Sequence, residues 1–85
     1  MRTILFTFRS DVPLERQVAI IDEIRAWDGV IAAGRLYPDE TSNPDMLRRC
    51  YAYTEDWADL DALVRRVAAL PEVENAFVPP ERGPL

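Results

Sequence analysis

The 85-residue sequence predicts a single small α+β sandwich. Three observations carry that prediction. Four short runs rich in β-branched and aromatic residues have strand character. Two longer segments between them repeat their apolar residues at helical spacing. Turn formers, mostly Pro, Gly, Asp and Ser, punctuate the junctions.

The first run, Thr3 to Arg9, alternates. Ile4, Phe6 and Phe8 share one face, and Leu5, Thr7 and Arg9 share the other. Ser10-Asp11-Val12-Pro13 breaks the pattern, with Ser10 or Asp11 suited to capping a helix and Pro13 to its first turn. Leu14 to Asp28 is predicted helical: Leu14, Val18, Ile21 and Ile24 form a stripe, with Ile20 and Trp27 beside it. Gly29 is a natural stop.

Val30 to Tyr37 has the character of a second strand, weakened by Gly34. The stretch Pro38 to Asp45, PDETSNPD, is dense in turn formers and acids. Leu47 to Tyr53 is the expected third strand, with Arg49, Tyr51 and Tyr53 opposite Arg48, Cys50 and Ala52. Thr54 or Asp56 is the expected start of a second helix, whose apolar stripe is Trp57, Leu60, Leu63, Val64, Val67 and Leu70. Pro71 ends it, and Val73 to Val78 forms the fourth strand.

The resulting order is βαββαβ, the ferredoxin-like plan of two split βαβ units sharing one four-stranded antiparallel sheet. Right-handed crossovers place both helices on one face and leave the other open. Residues 1–79 are expected to form this domain, and residues 80–85 an extended C-terminal tail. With Ile4, Phe6, Phe8, Cys50 and Ala52 under the helices, Leu5, Thr7, Arg9, Arg49, Tyr51 and Tyr53 face outward together. Tyrosines among arginines form an interface composition.

Composition narrows the function. Acidic residues number 15 and basic residues 10, all Arg, for a net charge of −5. Nucleic-acid binding is disfavoured, because phosphate neutralisation needs a basic face. Tyr51 and Tyr53 lack the glycine-aromatic signature of base-stacking RNA modules. The absence of His removes Ser–His and Cys–His pairs within the chain, and His-based metal sites. One cysteine, Cys50, permits no internal disulfide and has the character of a small core residue. No D-x-D-x-D-G calcium loop occurs, and neither cofactor nor metal is expected. Carboxylates are plentiful at Asp39, Glu40, Asp45, Glu55, Asp56, Asp59 and Asp61, but helix-start acids have a sufficient role in capping. No apolar run is long enough to span a membrane, and the N-terminus lacks a secretory pattern. The expectation is a cytoplasmic protein, or a secreted one if it is cut from a precursor.

The tail is unusual in composition. Pro79, Pro80 and Pro84 donate no backbone hydrogen bonds and favour extended geometry, suited to lying in a groove.

Two stretches, TILFTFRSDVPLERQVAIIDEIRAWDGVIAAGRL and LDALVRRVAALPEVENAFVPPE, resemble the opening and close of the inhibitor I9 family. These are the propeptides of subtilisin-like serine proteases and their stand-alone inhibitor relatives. The chain differs from that pattern where Pro79 and Pro80 replace acids, and where Arg82 stands at an ordinarily apolar position. The resemblance implies a non-enzymatic domain that inhibits or chaperones a subtilisin-like protease. It implies sheet-face contacts from Leu5, Thr7, Tyr51 and Tyr53. It implies caps on protease helices from Asp39, Glu40 or Asp45, and a cleft-bound tail of Arg82, Gly83, Pro84 and Leu85, with Leu85 in the S1 pocket. The alternative expectation is a small homodimeric regulatory or ligand-binding subunit whose open sheet faces pair.

Overall fold

A computed structural model describes residues 1–80. Its elements are β1 (Arg2–Phe8), α1 (Leu14–Arg25), β2 (Val30–Arg35), a short α2 (Pro44–Leu47), β3 (Arg49–Thr54), α3 (Leu60–Ala68) and β4 (Val73–Phe77). The four strands form one antiparallel sheet in the order β2-β3-β1-β4. With α1 and α3 packed against it, this is the ferredoxin-like βαββαβ architecture.

Alternation along β1 sends Ile4, Phe6 and Phe8 beneath the helices, each at most 1% exposed. Phe6 and Phe8 meet edge to face, with ring centroids 5.6 Å apart. Cys50 and Ala52 of β3 lie beside them, small enough to let Ile20, Ile24, Leu63 and Val67 of the helices close over the sheet. Arg25 Nε donates to the Ala33 carbonyl at 2.8 Å, tying the end of α1 to β2.

Several boundaries differ from the sequence expectation, each for a local reason. Neither Ser10 nor Asp11 caps α1. The N-cap is Pro13, whose carbonyl accepts from the amides of Arg16 and Gln17. The buried stripe of α1 is Gln17, Ile20, Ile21 and Ile24, while Leu14 and Val18 are half-exposed. The helix ends at Arg25, three residues early, because Trp27 to Val30 closes as a turn. The Val30 amide donates to Trp27 O, and Gly29 takes φ +88°.

The acid-rich connection carries α2, which was not expected. Asn43 Oδ1 accepts from the amides of Asp45 and Met46, and Pro44 supplies the fixed φ of the first turn. This helix takes Leu47, so β3 begins at Arg49. At the other end β3 runs through Thr54, which pairs with both Arg2 and Val30. A turn follows, and α3 starts only at Leu60, capped by Asp59 Oδ1 accepting from the Ala62 amide at 3.1 Å. Trp57 therefore lies outside the helix stripe and is 66% exposed. Its indole donates to Glu55 Oε2.

Candidate protein-docking face

The side of the sheet away from the helices is built by the alternate residues of the same strands. Register sets its rows. Leu5 stands opposite Tyr51 on one side and Phe77 on the other, and Tyr51 stands opposite Gly34. The row Gly34–Tyr51–Leu5–Phe77 thus crosses all four strands without a charge. A second row joins Arg49, Thr7 and Asn75, and the Leu36 amide extends it by donating to Arg49 O. A third places Ala32, Tyr53 and Thr3 side by side.

The tyrosines form a pair. The rings of Tyr51 and Tyr53 lie 4.7 Å apart at 36°. Gly34 makes room for them: a Cβ there would approach the Tyr51 hydroxyl to 3.0 Å and its ring carbons to 3.3 Å. The aromatic ring covers the backbone that glycine leaves bare, the cross-strand device that compensates a glycine in a sheet. Leu5, Thr7, Tyr51 and Tyr53 are all partly buried and share one side of the sheet.

Sequence reasoning missed Phe77, Asn75, Leu36 and Gly34 as members of this face. The reason is a pair of bulges. In β4, Phe8 pairs with Val73 while Thr7 pairs with Asn75, so Glu74 is an extra residue. Val73 points into the core and Phe77, four residues on, points out, which simple alternation forbids. Ile31 does the same in β2, between Val30 opposite Thr54 and Ala32 opposite Tyr53. Phe77 is left 49% exposed.

Leu5, Thr7, Leu36, Arg49, Asn75 and Phe77 surround a hollow of about 290 Å³ on this face. Arg49 makes no ion pair or side-chain hydrogen bond among the described residues. None of the cross-strand paired positions on the open face is acidic, although the chain as a whole carries −5; the one acid within the strands, Glu74 at the β4 bulge, lies 3.6 Å from Arg48.

The loop acids are placed differently from one another. Glu40 turns back on its own loop, where Oε1 accepts from the amides of Asn43, Ser42 and Thr41 and from the Ser42 hydroxyl. Those bonds, led by the Asn43 and Ser42 amides, hold its carboxyl below the usual range. Asp45 accepts from Arg48 at 3.0 Å. Asp39 is exposed and has no such partner among the described residues. Arg82, Gly83, Pro84 and Leu85 lie outside the described residues.

Cys50 is fully buried, and burial pushes its thiol up to about 12, with the nearby Arg35 charge pulling the other way. A thiol so placed stays protonated and packs as an apolar group. Among the described residues no group of three or more metal-ligating side chains gathers, and no helix is long and apolar enough to cross a membrane.

Comparison with protein-family models, with characterised proteins and with solved structures returns no match to this chain. The ferredoxin-like architecture expected from the order of the elements is present, and many functions share that architecture.

Proposed function

We propose that this domain is a non-enzymatic protein-binding module that docks its open sheet face on a subtilisin-like serine protease, inhibiting it or guiding its folding. One observation carries the reading. The outer face presents an uncharged row across the whole sheet, with the tyrosine pair held in place and Phe77 half-exposed. A continuous aromatic and apolar surface of this kind gains free energy when a partner covers it. The resemblance supplies the protease as partner and Arg82, Gly83, Pro84 and Leu85 as the cleft-bound tail.

Within this reading Asp39 is the loop acid best placed to cap a protease helix, because Glu40 is engaged by its own loop and Asp45 by Arg48. Self-pairing through the same face is the less favoured reading, since the paired open-face positions of a second copy bring no carboxylate to Arg49.

The test is inhibition and refolding assays against a panel of subtilisin-like proteases. Three proteins are compared: the full chain, the Tyr51→Asp variant, and a chain lacking Arg82 to Leu85. Tyr51→Asp is expected to weaken inhibition about 30-fold or more, as loss of a central aromatic anchor does. Removal of the four residues is expected to abolish active-site competition while leaving sheet-face binding. A full chain that neither inhibits nor assists any of the panel at micromolar concentration ends the proposal.

A further inference from the structure

The hollow on the open face pairs two kinds of surface. On one row stand Arg49, Thr7 and Asn75, directly opposite one another in register. On the next stand Leu5 and Phe77, with Leu36 closing the edge beside Arg49. Successive rows on one face are roughly 7 Å apart, two residues along a strand. A guanidinium, a hydroxyl and an amide therefore lie within one short molecule's reach of three apolar side chains.

We infer that this hollow binds a small organic carboxylate with an apolar body. The planar guanidinium fork of Arg49 matches a carboxylate. No carboxylate pairs with it among the described residues, and Glu74, the acid at the β4 bulge, lies against Arg48 instead. Thr7 and Asn75 supply further donors on the same row. Leu5, Leu36 and Phe77 take the hydrocarbon. The net charge of −5 favours a singly charged acid over a polyanion, whose approach the rest of the molecule opposes. A hollow of about 290 Å³ sits at the small end of ligand pockets, roughly 300–1,000 Å³, so the body is short. The inference shares the face with the protease reading but does not rest on it.

The experiment is an NMR titration of the ¹⁵N-labelled full chain with octanoate, with 1-octanol and acetate as controls. Octanol has the body without the charge, and acetate the charge without the body. Expected is saturable binding of octanoate, with amide shifts centred on Leu5, Leu36, Arg49 and Phe77. Both controls should bind about tenfold more weakly or worse. Arg49→Gln should weaken octanoate about tenfold and leave octanol unchanged. Phe77→Ala should weaken octanoate and octanol together. Arg49 and Phe77 are exposed, and the spectra themselves report whether each variant is folded. The inference is overturned if octanoate binds no better than octanol, if Arg49→Gln binds like the parent, or if the shifts map away from this face. No protease enters the measurement, so its outcome is separate from that of the inhibition panel.

Discussion

The two sides of the sheet are made by the same strands and teach different things. On the helix side, Ile4, Phe6, Phe8, Cys50 and Ala52 are sealed, and each contributes to stability through packing. One residue away on the same strands, Leu5, Thr7, Tyr51 and Tyr53 are only partly covered. The first set determines whether the chain folds. The second has little to do in folding and is correspondingly available for a partner. Neighbouring residues in one strand should therefore differ sharply in what their removal costs.

The sharpest contrast is between Phe6 and Leu5. Phe6→Ala leaves a cavity beneath both helices and should cost about 3–5 kcal/mol by urea unfolding, close to the whole stability of a domain this small. Gly29→Ala comes next. It forces a side chain into φ +88° and brings its Cβ to 2.8 Å from that of Ala58, and should cost roughly 3 kcal/mol. Leu5→Ala should cost about 1 kcal/mol, since a half-covered side chain loses only part of its transfer free energy. An equal cost at Leu5 and Phe6 would mean that the outer face is as structural as the inner one.

The smallest effect concerns the end of the sheet where Arg16 of α1 holds Glu72. Arg16 Nε and Nη2 both donate to Glu72 Oε2, at 3.0 and 2.8 Å. These bonds hold the Glu72 carboxyl below its ordinary 4.5. A depressed carboxylate stabilises the folded state above its unfolded value and stops doing so as pH falls through the folded one. Glu72→Gln should accordingly lower stability slightly at neutral pH and make no difference once the medium is well below pH 4.5. Unfolding curves of both proteins across the acid range check the sign. A gap that widens toward acid would contradict it.

Much of the fold was legible because its signals are local. Alternation in Thr3 to Arg9 identified a strand and chose its buried face correctly, since Ile4, Phe6 and Phe8 are the core. In α1 the expected Ile20, Ile21 and Ile24 are buried, whereas Leu14 and Val18 of the expected stripe are half-exposed. The polar Gln17 is buried beside them, its amide nitrogen donating to Val12 O. Apolar spacing gives no warning of a polar residue that fills such a place. The start of α3 was misplaced because Thr54 and Asp56 are plausible caps in isolation. Only the two-sided pairing of Thr54 shows that the strand runs through that residue and that the helix starts later. On the candidate face, Leu5, Thr7, Arg49, Tyr51 and Tyr53 were readable from parity, whereas Phe77 and Asn75 were hidden by a bulge.

Taken alone, the sequence determined the βαββαβ order and the helix-side core of β1 and β3, because period and punctuation are properties of neighbouring residues. It also determined the charge balance that disfavours polyanionic partners. Tertiary structure decided the rest: the β2-β3-β1-β4 order, the seating of Tyr51 over Gly34, the commitment of Glu40 to its own loop, and the gathering of Arg49 with Leu36, Thr7 and Phe77. These depend on which strands pair and in what register. A single inserted residue, Glu74 or Ile31, reverses which side every later residue faces.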